Sequence, residues 1–143
     1  MVRPVVSALF VLAVLAAVPL VAGEPCSTLA VEVAPSSVQI DVTGAQPRAL
    51  TFLAFSKAEG ETPVNFRDLI DFTVDLAGPV RALPLGLTDD TGAVSITIPF
   101  GPAGSLGVDL YGQAVSLSVE LDLGGTPPLV ITSCTSNVDP FSL

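Results

Sequence analysis

The chain has 143 residues, a formal net charge of −9, and neither histidine nor tryptophan. A strongly acidic chain repels the phosphate backbone, so nucleic acid is excluded as a partner. Without histidine the chain also lacks the side chain that most often carries acid–base chemistry near neutral pH. We therefore expect no enzyme and no cofactor.

Residues 1–23 have the three-part layout of a secretory signal peptide. Arg3 supplies the positive charge, residues 5–18 are almost wholly apolar, and small residues precede the predicted cleavage site near Gly23. The mature domain, 24–143, is then secreted or extracytoplasmic, with no stable membrane insertion. It keeps four cationic residues against all fourteen acids, a formal charge of −10.

Cys26 has two candidate roles, a lipid-modified N-terminus or one half of a disulfide. A lipoprotein signal needs its cysteine directly after the small residues, whereas Glu24 and Pro25 intervene here. Two cysteines in an exported chain favour a disulfide, because the destination is oxidising. We predict a Cys26–Cys134 bridge at the outer ends of the first and last strands.

Alternation of apolar and polar residues predicts half-buried antiparallel strands along the mature chain. The pattern covers 29–33, 38–42, 70–76, 93–98 and, with Val115, Leu117, Val119, Leu121 and Leu123 on the dry face, 115–123.

Three other segments carry different signals. The stretch 49–55 is apolar on both faces, which predicts either a central strand covered on both sides or a strand lying under a loop. The stretch 80–87 can only be an edge or irregular strand, because Pro84 cannot donate to a ladder. The stretch 56–69 is the longest polar interruption, in which a short helical turn over 65–69 is allowed.

Glycine- and proline-rich turns separate these segments, and the mature chain is long enough for one domain. Seven to nine short strands in about 120 residues predict two packed sheets. The predicted fold is all-β, an antiparallel β-sandwich that is Ig-like in the broad sense.

Asp90-Thr91-Gly92 spells the D-T-G of aspartic proteases, which makes a secreted aspartic-type hydrolase a remote alternative. Thr88 and Asp89 stand where that family has apolar residues. We therefore predict a hairpin turn, in which the aspartates cap backbone N–H groups and Gly92 takes a positive φ.

Asp89 and Asp90 are also weak candidates for calcium ligands, with Asp109, Asp122 and Asp139 at further loop ends. Their spacing lacks the alternating acids of an EF-hand loop. A calcium-dependent adhesive or carbohydrate-binding module is accordingly the alternative function.

Two segments in the second half of the chain carry recurrent motifs. "LTDDTGAVSITIP", 87–99, resembles the T-D-x-x-G hairpin of secreted bacterial Ig-like β-sandwich modules, and "GVDLYGQAVSLSVELDLGG", 107–125, is similar to an L-Y-x-Q-A strand of many uncharacterised exported bacterial proteins. The resemblance implies adhesion, scaffolding or display, with no catalytic residues. The matching turn and core positions are Thr88, Asp89, Gly92, Leu110, Tyr111, Gln113 and Ala114.

The sequence as a whole predicts an exported, non-enzymatic module with a structural, adhesive or surface-binding role. No set of side chains in it is suited to run a reaction, whereas alternating strands separated by turns recur along the mature chain. The expected partner is an unknown protein or a surface glycan.

Overall fold

A computed structural model describes residues 25–67, 69–100, 107–126 and 128–143. The predicted signal peptide, 1–23, lies outside these residues. Within them the fold is all-β with antiparallel sheets, as the sequence predicts. Across the same ranges there is no helix long and apolar enough to cross a membrane.

The described residues form nine strands, which is within the predicted seven to nine. They are β1 (Thr28–Val33), β2 (Ser37–Thr43), β3 (Leu50–Ser56), β4 (Ala58–Phe66), β5 (Ile70–Ala77), β6 (Arg81–Leu87), β7 (Val94–Pro99), β8 (Asp109–Leu121) and β9 (Leu129–Ser142). They form an outer sheet of order β1-β2-β7, a central sheet of order β6-β3-β8-β9, and a cover hairpin, β4-β5.

The outer sheet packs against one face of the central sheet. The alternating residues Val38, Ile40 and Val42 of β2 are all buried and share one apolar cluster with Leu53 and Ala114 of the central sheet. Burying one such aliphatic side chain stabilises the fold by about 1.5–3 kcal/mol. This face-to-face packing fits a β-sandwich.

The cover hairpin packs against the opposite face of the central sheet. Val74 and Leu76 of β5 are buried there in a second cluster with Ala54 and Val115. Adjacent residues of β3 therefore face different layers, Leu53 the outer sheet and Ala54 the hairpin. The prediction of a central strand covered on both sides is confirmed.

The prediction of an edge strand at 80–87 is also confirmed. β6 forms the edge of the central sheet, and its Pro84 lies opposite Phe52. The register shifts between Thr51 and Phe52, which marks a bulge beside the proline. An edge position and a bulge are both places where a sheet accepts proline.

The interpretation of 56–69 as an interruption is wrong. Most of it forms β4, which pairs with β5, and a hydrogen bond from Leu69 N–H to Phe66 C=O closes a hairpin turn where a helical turn was allowed. β4 is polar because it lies outermost, with only Thr62 and Val64 partly buried. Pairing with β5 imposes the strand that the local sequence does not indicate.

The predicted dry and wet faces of 115–123 are wrong in part. Ser116, placed on the wet face, is fully buried and shares a hydrogen bond with Thr51. Leu121, placed on the dry face, is 74% exposed. β8 runs between two covering layers at its start and extends beyond both towards its end.

A Cys26–Cys134 disulfide joins the edges of the outer and central sheets, with the two Cα atoms 5.7 Å apart. Cys26 precedes β1, but Cys134 lies in the interior of β9, so the prediction that both cysteines lie at strand ends is wrong for Cys134. Cys26 N–H also donates to the Thr135 carbonyl, 3.0 Å away.

Side chains of β9 continue this seam along β1. The Asn137 Oδ1 accepts a hydrogen bond from Leu29 N–H at 2.8 Å, and the Asp139 Oδ2 accepts one from Val31 N–H at 2.7 Å. These contacts satisfy backbone N–H groups at the free edge of β1, which could otherwise pair with a strand of another molecule. The sandwich is thereby closed on the β1–β9 side.

Candidate functional site

A turn is present at Asp89, with Gly92 at a positive φ as predicted, but it is not a hairpin turn, because it joins β6 of the central sheet to β7 of the outer sheet. Of the two aspartates predicted to cap backbone N–H groups, Asp89 does so, whereas Asp90 pairs with Arg48.

The Asp89 Oδ1 accepts hydrogen bonds from the N–H groups of Thr91 at 2.8 Å and Ala93 at 3.0 Å, and from the Thr91 hydroxyl at 2.6 Å. These bonds, first that of the Thr91 hydroxyl, lower the pKa of Asp89, because they favour the ionised carboxylate. The carboxylate holds its own turn together.

The neighbouring motif residues tie this turn to the loop before β3. The buried Thr88 hydroxyl accepts from Ala49 N–H at 2.8 Å and donates to the Gln46 carbonyl. Gly92 has a φ of +79°, and a Cβ there would lie 1.8 Å from the Ala45 oxygen. Both features explain physically why threonine and glycine occupy these positions.

The remaining calcium candidates are dispersed. Asp90 is exposed in an ion pair with Arg48, whereas Asp122 Oδ1 accepts from Gly124 N–H and Asp109 accepts from the Ser142 hydroxyl. Asp139 belongs to the seam described above. In the part of the chain that the structure describes, no three His, Cys, Asp or Glu residues are grouped to hold a metal ion.

Gln113 is a fully buried polar side chain between the central sheet and the cover hairpin. Its Oε1 accepts from Asp75 N–H at 2.8 Å, and its Nε2 donates to the Ser136 carbonyl at 2.8 Å and to Asp75 Oδ2 at 3.1 Å. Three contacts satisfy the amide in a place where an unpaired one would be costly. Gln113 thereby fixes β5 over β8 and β9.

A groove of about 450 Å³ lies between the cover hairpin and the central sheet, and we name it the apolar groove. Its hairpin wall consists of alternate residues from both strands, which are Thr62, Val64, Phe66, Ile70, Phe72 and Val74. Its other lining residues are Phe52, Ala54, Val80, Arg81, Ala82, Val115 and Leu117.

The lining is almost devoid of free polar groups. Among the lining residues that the structure describes, the only hydroxyl is that of Thr62, which donates to the Leu76 carbonyl at 2.7 Å. The only charged residue among them is Arg81. A concave site of this size, apolar with few polar groups, has the ordinary character of a small-molecule pocket.

Four large aliphatic side chains continue the groove onto uncovered sheet, and we name them the open apolar face. Leu50 lies opposite Leu117 in the register, and Leu87 lies opposite Leu50. Val119 and Leu121 follow on the same side of β8, because side chains alternate along a strand. Their exposed fractions are 42% for Leu50, 64% for Leu87, 59% for Val119 and 74% for Leu121.

A second, smaller cavity of about 230 Å³ lies between the outer and central sheets. Its lining is wholly apolar and includes core residues of β2 and β3 together with Phe100 and Phe141. Phe100 directly precedes 101–106, which lies outside the described residues. The cavity belongs to the sandwich core.

Sequence analysis named Gln113 only as a turn or core position of the resemblance, without its contacts, and it missed the apolar groove and the open apolar face. A signal for Gln113 was present, because it interrupts the apolar side of β8 between Tyr111 and Val115. A polar residue at a position that the alternation assigns to the buried face indicates a side chain whose hydrogen bonds are satisfied inside the protein. The groove had no comparable signal, since its outer wall comes from the segment interpreted as an interruption.

Comparison with known proteins identifies no relative of this chain. No family model, no functionally characterised protein and no solved structure matches the chain. The functional interpretation therefore rests on the geometry described above.

Two glycines with nearly the same backbone conformation test the packing of the Asp89 turn. Gly92→Ala should lower the free energy of unfolding by about 3 kcal/mol or more. The strain of a left-handed backbone conformation on alanine adds to a steric clash between its Cβ and the Ala45 backbone oxygen. Gly78→Ala, with a φ of +78° and open space around it, should cost only about 1–2 kcal/mol. Urea denaturation measures both, and equal losses would show that the Gly92 contact is unimportant.

Gln113→Leu should lower the free energy of unfolding by about 2 kcal/mol or more, because Asp75 N–H and the Ser136 carbonyl lose their partner. The matched control is Gln39→Leu on the exposed surface, which should change it by less than about 0.5 kcal/mol. Urea denaturation of the two variants separates the cases. A Gln113→Leu protein as stable as the control would show that the Gln113 contacts do not hold β5 over β8 and β9.

Proposed function

We propose that this chain is an exported, non-enzymatic binding module, Ig-like in the broad sense, that binds an apolar partner on the outward side of its central sheet. The observation that carries the proposal is the apolar groove and its continuation, the open apolar face. A contiguous exposed apolar surface on a folded module marks an interaction site.

Strand order supports the Ig-like assignment. Immunoglobulin sandwiches place strands A, B and E in one sheet and C, F and G in the other. If the cover hairpin is set aside, β1, β2 and β7 occupy the first set of positions and β3, β8 and β9 the second, with β6 beside β3. The cover hairpin is then an insertion after the third strand.

Two features support export. The sequence of 1–23 has the layout of a secretory signal, and the Cys26–Cys134 disulfide suits an oxidising compartment. The strongly acidic composition of the mature segment favours solubility, which is compatible with a soluble protein outside the cytoplasm.

The two outward sheet surfaces differ in a way that favours the central sheet as the binding side. The outer sheet presents polar residues, with Gln39 and Ser95 both hydrogen-bonded to Asp41. The outward side of the central sheet presents exposed leucine and valine side chains, which are those of the open apolar face. An apolar partner fits this surface better than a glycan, because the groove offers no free hydroxyl or amide to recognise sugar hydroxyls.

A neutral environment-sensitive dye, Nile red, tests the proposal. The native protein should give a saturable fluorescence increase, and Ala82→Glu should weaken dye binding by about tenfold, because it places a charge that needs water in the groove. Ala82 is exposed, so the substitution leaves the buried core intact.

Ala30→Glu, at an exposed alanine of β1, is the matched control and should bind the dye like the native protein. Phe66→Ser, at an exposed residue of the groove wall, provides a second variant with the same expected loss. Absence of saturable dye binding, or equal binding by all four proteins, would contradict the proposal.

A further inference from the structure

We propose that two copies of this chain associate through the edge strand β7, which pairs antiparallel with β7 of the second copy about a twofold axis. This inference goes beyond the proposed function, because it uses the outer sheet, whereas the apolar groove and the open apolar face lie on the central sheet. It follows from the hydrogen-bonding pattern of β7 and from the way in which the other sheet edges are protected.

The register fixes which backbone groups of β7 face outward. The Phe100 N–H donates to the Ser36 carbonyl, so β2 bonds to the even-numbered residues of β7. The N–H and C=O groups of Ser95 and Thr97 therefore point away from β2. No strand within the described ranges pairs with β7 on that side.

The β7 edge lacks the features that normally prevent edge-to-edge pairing, which are charged side chains, inner prolines and bulges. Every other edge strand in the described part of the chain has at least one of them, for example Glu32 in β1, Glu61 in β4, Asp75 in β5, Pro84 in β6 and Asp139 in β9. β7 carries no charge, and its one proline, Pro99, is its last residue.

The inward side of β7 is incompletely covered, which favours a second copy as the occupant of this edge. Ile96 and Ile98 pack against the core cluster but are only partly buried, whereas Ile40, opposite Ile96 on β2, is fully buried. A further strand with isoleucine inward and hydroxyl residues outward would cover them, because side chains on neighbouring strands are in contact. β7 itself has this alternation, so the edge is complementary to its own copy.

One register satisfies both copies. With the twofold axis at Ile96, Ser95 lies opposite the second copy's Thr97, and the two symmetric pairs exchange four backbone hydrogen bonds. In the same register Ala93, whose N–H and C=O already bond within its own chain, lies opposite Pro99, which has no N–H. The ladder therefore ends where its available donors end.

Charge repulsion does not block this association, and the far edge of the sheet limits it to a dimer. Within the outer sheet the acid nearest the β7 edge is Asp41 on β2, so its two copies are three strand spacings, about 14 Å, apart. That distance exceeds the screening length of about 8 Å at physiological ionic strength. The β1 edge is closed by Asn137 and Asp139, so no further copy can add there.

Sedimentation equilibrium of the disulfide-closed protein measures the association. A single short strand edge predicts a weak dimer, with a Kd on the order of 10–100 µM. Thr97→Pro removes an outward donor that no described strand uses, and it should raise that Kd by about tenfold or more. Thr97→Ala, which loses the side chain but keeps the N–H, is the matched control and should dimerise like the native protein.

Hydrogen exchange of the native protein, at concentrations below and above the Kd, gives a readout that needs no variant. The amides of Ser95 and Thr97 should exchange readily in dilute protein and slow as the dimer forms, because each then donates to the second copy. The amides of β1 should exchange at the same rate in both samples. This readout decides the case even where Thr97→Pro fails to fold.

Three outcomes would overturn the dimer proposed here. They are a monomer up to about 1 mM, a folded Thr97→Pro protein that dimerises like the native one, and a dimer in which exchange at Ser95 and Thr97 is unchanged. If Leu121→Ser dissolves such a dimer, the association lies on the open apolar face instead. Each of these results leaves Nile red binding, and with it the proposed function, untouched.

Discussion

The fold depends on one constraint, that the central sheet is apolar on both faces and needs a cover on each. Leu53 and Ala114 point to the outer sheet, whereas their neighbours Ala54 and Val115 point to the cover hairpin. A sandwich of two layers leaves one face of each sheet in water, which requires polar residues there. The β4-β5 hairpin therefore serves as a third layer, held in place by the buried amide of Gln113.

The proposed function follows from the incompleteness of the second cover. The cover hairpin leaves a groove beneath it and does not reach the end of β8, so Val119 and Leu121 remain in water. Exposing such residues has a cost in solubility, which the strongly negative charge of the chain offsets. The seam along β1 meanwhile closes one side of the sandwich to edge pairing.

Much of the sandwich could be predicted from period-two alternation, but the surface that carries the proposed function could not. The pattern at 38–42 reports which side chains are buried, because one face of β2 meets the core and the other meets water. The alternation at 115–123 distinguishes the two faces of the strand, but it does not indicate where a covering layer ends. The exposure of Leu121 was therefore missed. β4 was missed because an outermost strand is polar and takes its conformation from pairing with β5.

Native-state hydrogen exchange tests the central claim most directly, because it ranks every backbone amide by the opening that exposes it. If the central sheet is the doubly covered layer on which the fold depends, the amides of β3 and of the first half of β8 should exchange only through global unfolding. Those of β4, on the outside of the cover hairpin, should exchange faster. Exchange from β3 as fast as from β4 would contradict the account.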